Sequence, residues 1–173
     1  SGEYGKAPEG DLAVTVTVSG LAGGHSGVDI NKGRLNAIYV LDSVLDALSK
    51  EGIFHEIASM EGGTASNAIP PKATAMLVIK AEDLEKAVSI AEEQEAAWKK
   101  SAGETDPNLE ITVAAADTMP DTVVTDEAAG KTHALLEGLV NGVYTMSEEI
   151  EGLVESSSNL GILKLTPEGL TAC

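Results

Sequence analysis

Apolar residues fall at every second position through 12–19, where Leu12, Val14, Val16 and Val18 alternate with Ala13, Thr15, Thr17 and Ser19. That is the period of a half-buried strand. The spacing then changes to three and four over Leu35, Ile38, Leu41, Leu45 and Leu48. It predicts an amphipathic helix over 31–50, capped by Asn31 and ended by Gly52. A second strand is expected over 53–60, before the loop signal Glu61-Gly62-Gly63-Thr64, and a third over 73–80, because Pro70-Pro71 forbids helix between them. Leu84, Val88, Ala91 and Trp98 mark the inner stripe of a second helix from Asp83 to near Gly103, and Asp106-Pro107-Asn108 turns into a fourth strand over 109–115.

The order β-α-β-β-α-β is the split βαβ pattern of ferredoxin-like folds. Right-handed crossovers place both helices on one face of a four-stranded antiparallel sheet and leave the other face open or available to partners. The expected fold class is therefore α+β, with residues 1–116 as this core and 117–173 as a helix-and-strand extension of the same domain. In the extension a helix over 125–139 starts at a Thr125 or Asp126 cap, Asn141-Gly142 turns, a strand follows over 154–165, and Pro167-Glu168-Gly169 makes a hairpin turn. The sequence stops four residues into the returning arm, at Leu170-Thr171-Ala172-Cys173, and opens on Ser1-Gly2, which resembles a cloning scar. Both ends suggest a piece of something longer.

Charge removes several function classes. With 28 acidic against 11 basic residues and a net charge of -17, the chain lacks the clustered Lys and Arg that phosphate contacts require. Nucleic acid is not an expected partner. The acidic residues lie in helical runs over 82–95 and 148–155 that point in several directions, as a solubilising surface does, rather than converging as a metal-storage face. No apolar run approaches the ~20 residues of a membrane span, so no membrane partner is expected. The single cysteine, Cys173, permits no internal disulfide, which fits a cytoplasmic location.

Candidate chemistry concentrates in Gly20-Leu21-Ala22-Gly23-Gly24-His25-Ser26-Gly27-Val28-Asp29-Ile30. Glycines on both sides leave His25 unshielded and allow close backbone approach, so it is better placed to touch a ligand than to fill a core. A tight strand-to-helix connection with a solvated His25 is the plainer alternative. The run also approximates the nucleophile elbow G-x-S-x-G around Ser26, but Val28 stands where the last glycine belongs. In Glu61-Gly62-Gly63-Thr64-Ala65-Ser66-Asn67-Ala68-Ile69-Pro70, the Asn67 amide can donate and accept between a glycine loop and a rigid proline. The split βαβ topology can bring this loop and the end of the first strand to one edge. The three histidines His25, His55 and His133 are too scattered for a zinc site, and no metal ligand is assigned in this chain.

These residues resemble a known family. Ser19-Gly20-Leu21-Ala22-Gly23-Gly24-His25-Ser26-Gly27 and Asn67-Ala68-Ile69-Pro70 are similar to the lid, or dimerisation, domain of the aminoacyl-histidine dipeptidases, which belong to the carnosinase- and aminoacylase-related zinc exopeptidases. Asn141-Gly142-Val143, Met146-Ser147-Glu148, Ile150-Glu151-Gly152-Leu153-Val154-Glu155 and Ser157-Ser158-Asn159-Leu160-Gly161 extend the likeness over nearly the whole chain. The resemblance implies a lid domain that is inactive alone, in a parent cleaving Xaa-His dipeptides at two zinc ions held by a separate catalytic domain. It implies that His25 holds the scissile carbonyl oxygen, often in the partner subunit's site, and that Asn67 orients the peptide. Where the family leads one to expect Arg-Glu after Ile-Pro, this chain has Pro71-Lys72, so Lys72 could replace the charge of a carboxylate-binding arginine without its fork. A homodimer through the first helix, with Arg34, Tyr39 and Asp42, and one sheet edge is also implied. The alternative is a stand-alone ferredoxin-like regulatory module that binds a small amino acid at a dimer interface.

Overall fold

The structure is a computed structural model describing residues 2, 3 and 10–173; Ser1 of the Ser1-Gly2 pair lies outside the described residues. In chain order the elements are β1 (Gly2–Glu3), β2 (Asp11–Ser19), β3 (Gly24–His25), α1 (Ala37–Lys50), β4 (Glu56–Gly62), β5 (Ala68–Ile69), β6 (Ala73–Lys80), α2 (Leu84–Ala102), β7 (Glu110–Ala115) and β8 (Thr122–Val123). They continue with α3 (Asp126–Gly138), β9 (Gly142–Met146), β10 (Val154–Ser158), β11 (Leu163–Thr166) and β12 (Gly169–Ala172). Short 3-10 turns at Ile30–Lys32 and Ala81–Asp83 precede the first two helices.

The main sheet runs β12-β11-β4-β6-β2-β7, antiparallel throughout. Its four inner-core strands, β4-β6-β2-β7, have the ferredoxin-like order the hydrophobic pattern predicts. Helices α1 and α2 cover one face. Ile38, Leu41, Val44 and Leu48 of α1 pack on Val14, Val16, Ala75 and Leu77 of the sheet in one buried cluster. The other face is not left bare: β8 crosses it, and Val123 packs against Ala58 and Val78.

The sheet has two more strands than the core pattern predicts. Leu163 stands opposite Gly62 and Leu165 opposite Met60, while Thr166 turns back to Gly169. Cys173 continues this ladder by bonding to Gly161 and Ile162. Both leucines are buried, and at about 1.5–3 kcal/mol per buried side chain they hold the hairpin to the core. Among the described residues the free edges are therefore β7 and β12; β11 closes the β4 side.

Four local expectations give way to tertiary contacts. Helix α1 starts at Ala37, capped by the Asn36 carboxamide accepting from the Ile38 amide at 3.0 Å, and not at Asn31. The Leu35 amide is bound to Asp106, so it cannot enter the helix. Strand β4 runs on through Gly62, which pairs with Ala73 on one side and Leu163 on the other, and Ile38 and Ala73 press so close that a Cβ there would collide with both. The strand expected over 154–165 is two. Gly161 passes tightly over the Ala65 and Ser66 carbonyls and Leu160 is buried, so the chain breaks between β10 and β11. Asn141-Gly142, expected to turn, instead leads into β9, which pairs with β10 in a separate two-stranded sheet.

Candidate functional site

The excursion from β2 to α1 is pinned at both ends by one side chain. Asp106 is fully buried; its Oδ1 accepts from the Ala22 amide and its Oδ2 from the Leu35 amide, each at 2.7 Å. Within the loop Asp29 folds back, accepting from the His25 amide at 2.8 Å and from Lys32 Nζ at 2.6 Å. Arg34 donates to the Gly23 carbonyl at 2.6 Å and lies 3.4 Å from Asp29. The Lys32 hydrogen bond, then that of the His25 amide, holds the Asp29 carboxyl below its ordinary value. The clasp is thus present at neutral pH and is lost only as pH falls through that lowered value. Gly24, at φ 145, is required here: a Cβ would run into the Arg34 guanidinium and the Asp29 carboxylate.

This framework sets His25 beside Asn67. Strands β3 and β5 pair antiparallel, His25 opposite Ala68, and the Ser26 amide donates to the Asn67 carbonyl at 3.0 Å. The Gly27 amide donates to His25 Nδ1 at 3.0 Å. Because Nδ1 is the acceptor, the neutral ring carries its proton on Nε2. That N–H has no partner among the described residues, and both His25 and Asn67 are exposed. The site is an outward-facing donor and amide on a rigid two-strand clip. Ser26 has no imidazole to take its proton, since His25 Nδ1 is engaged by Gly27. Lys72 is exposed as well, but it lines a different cleft, of about 380 Å³, with Glu61, Thr64 and Lys164. The structure does not bring it into contact with His25 or Asn67.

Behind the clip lies a cluster that sequence reasoning missed. Asn36 Nδ2 donates to the Leu160 carbonyl at 2.9 Å and approaches the side-chain oxygens of Asn141 at 3.3 Å and Asn159 at 3.4 Å. Asn159 Nδ2 in turn donates to the Ala68 carbonyl at 2.8 Å. The cap of α1, the base of the β9–β10 hairpin and the strand opposite His25 are thereby one polar network. Its only sequence signal was that Asn141 and Asn159 stood in the stretches 141–143 and 157–161 that carry the family likeness, with no role given to either side chain.

A concavity of about 760 Å³ lies elsewhere, between α1, α2, α3 and β9, with Tyr39, Asp42, Trp98 and His133 in its wall. The main clefts leave His25 and Asn67 out. A small-molecule site is normally concave, so this pair needs a second surface to become one. Of the residues expected on the first helix, Tyr39 and Asp42 lie on α1, whereas Arg34 precedes it. Asp42 accepts from His133 of α3 at 3.0 Å. That hydrogen bond holds His133 above the ordinary imidazole value of 6.5, while burial pushes His55 below it. The signs are opposite. The stabilisation from His133 is complete below 6.5 and is lost as pH rises through its raised value; that from His55 is complete above 6.5 and is lost as pH falls through its lowered value. A proton NMR titration is expected to show His133 titrating above 6.5 and His55 below, and Asp42→Asn returning only His133 toward the ordinary value.

No group of three or more His, Cys, Asp or Glu among the described residues could hold a metal ion. The donor set does not fit a zinc centre.

Comparison with known proteins connects these features. Residues 16–106 match the peptidase dimerisation domain family. Over 165 residues the chain is 31% identical to the cytosol non-specific dipeptidase of Escherichia coli strain K12, covering 92% of this chain and 32% of that protein. It superposes on the crystal structure of an aminoacylhistidine dipeptidase from Vibrio alginolyticus with a TM-score of 0.88 at 29% identity, covering 95% of this chain and 33% of that one. The chain thus spans about a third of the length of these relatives.

Proposed function

Because the chain belongs to the peptidase dimerisation domain family, we propose that it is the lid and dimerisation domain of a dipeptidase. Residues 1–116 form the lid core and 117–173 its extension. The parent cleaves Xaa-His-type dipeptides in the cytoplasm at an active site on a separate catalytic domain, and this domain supplies His25 and Asn67 to it. The observation that carries this reading is the β3–β5 clip, which presents a fixed Nε2–H and a carboxamide outward and outside the main clefts. A donor held in place before the reaction stabilises charge that develops on the carbonyl oxygen, without reorganisation at the moment of attack. The Asn67 amide binds the peptide or its carboxylate, and Lys72 adds positive charge at the margin. The alternative of a stand-alone ligand-binding module is disfavoured because the relatives that the chain matches over 92% and 95% of its length are dipeptidases.

The two zinc ions implied by the family resemblance belong to the catalytic domain, since the donors among the described residues do not fit them. The homodimer forms with the participation of α1 and one free sheet edge, β7 or β12. The reading is tested with the parent and this chain side by side. The parent is expected to hydrolyse Xaa-His dipeptides, to lose that activity to a chelator and to regain it with zinc. This chain alone is expected to be inactive, with a melting temperature unmoved by either chelator or zinc. Dipeptidase activity in this chain, or a zinc-dependent melting temperature, would defeat the proposal.

A further inference from the structure

The β9–β10 hairpin stands apart from the main sheet. Among the described residues its strands pair only with each other, and an isolated two-stranded ribbon is marginal in water. This one is nonetheless ordered at both ends. Asn141 and Asn159 fix its base against Asn36. At the tip, the Ser147 amide donates to the Leu153 carbonyl at 2.8 Å, and Ser147 Oγ accepts from Glu149 and Ile150. The ordered tip carries bare apolar side chains: Tyr144 is 53% exposed, Met146 43%, Ile150 58% and Leu153 48%. Met146 stands opposite Val154, and Tyr144 sits two residues before it at a bulge in β9, between Thr145 opposite Ser156 and Val143 opposite Ser157. Glu148, Glu149, Glu151 and Glu155 surround them. A shaped apolar patch within a charged rim is how a protein-contact surface is built.

We propose that this hairpin is a docking arm: its apolar face seats in an apolar pocket, edged by Lys or Arg, on the catalytic domain of the same parent protein. The inference rests on the lid reading above. Two observations select that occupant. The hairpin base is bonded, through Asn159, to the Ala68 carbonyl, directly opposite His25, so a domain that receives His25 and Asn67 meets the hairpin next. A second copy of this chain is the poorer fit. It carries the same net charge of -17, and the hairpin's glutamates would face like charge on it.

The test is hydroxyl-radical footprinting of the full-length parent, each residue referenced to the same protein unfolded in urea. Docking into a desolvated pocket is expected to protect Tyr144 and Met146 about tenfold or more. Their own exposure of 53% and 43% already gives roughly twofold protection, and a value no higher than that overturns the proposal. Protection that disappears on dilution assigns the face to a second copy and overturns it equally. His25→Ala in the same parent separates this inference from the reading beneath it. Normal turnover with the hairpin protected removes the role of His25 and leaves the docking arm standing. Impaired turnover with the hairpin bare does the reverse.

Discussion

Replacing Asp106 with alanine is expected to destabilise the chain by about 3 kcal/mol, a loss typical of deleting a buried, hydrogen-bonded carboxylate. The carboxylate is fully buried and makes two hydrogen bonds of 2.7 Å, to amides on either side of the His25 loop. Bonds to a charged group contribute about 1.5–3 kcal/mol each, and alanine would leave both part-buried amides without that acceptor. For a chain of this size the melting temperature falls by about 2–4 °C per kcal/mol, so a drop of roughly 6–12 °C is expected. Asp106→Asn is a sharper probe than a rescue. It keeps one carbonyl oxygen but turns an NH2 toward the other amide, so it recovers only part of the loss. Exchange of the Ala22 and Leu35 amides should accelerate in both variants. A change below about 1 kcal/mol would mean that water replaces the clamp, and the loop would then not be held as described.

His25→Ala in the full-length parent is expected to lower kcat by about 10²–10³-fold, the measured range for one oxyanion donor in other enzymes. KM should change far less, because the donor acts on charge that exists only in the transition state. The assignment of the donor comes from geometry: Gly27 holds Nδ1, so the proton sits on Nε2 and points away from the domain. His25→Gln retains an N–H at the end of a longer, freer side chain and should recover a minor part of the rate. Because the site faces outward, neither change should move the melting temperature of this chain by much. A large loss of stability with His25→Ala would make its effect on turnover a folding effect.

Much of this was legible in the sequence where one period ran uninterrupted. Strands β2, β6 and β7 and helix α2 lie within a residue or two of their expected bounds, because alternation or three-and-four spacing continues to a clear stop such as Gly103. The start of α1 was not legible. Asn31 and Leu35 satisfy a helical pattern, and what overrules them is a bond from Leu35 to a residue 71 positions away. Gly62-Gly63 reads as a loop, but Gly62 is a strand residue made small by the approach of Ile38. The proximity of His25 and Asn67 was readable, since the glycine-flanked ends of two segments meet at one edge of a split βαβ sheet. Asp106 was not. In Asp106-Pro107-Asn108 it resembles any turn residue, and nothing local shows that its carboxylate is buried beneath the candidate site.

The most direct single measurement is the affinity of a phosphinic dipeptide analogue, a mimic of the tetrahedral intermediate, for the parent and for its His25→Ala variant. If His25 holds the developing oxyanion, the analogue should bind the variant about 10²–10³-fold more weakly, matching the loss in kcat/KM. Equal affinity for the two proteins would contradict the account and leave His25 as a solvated loop residue.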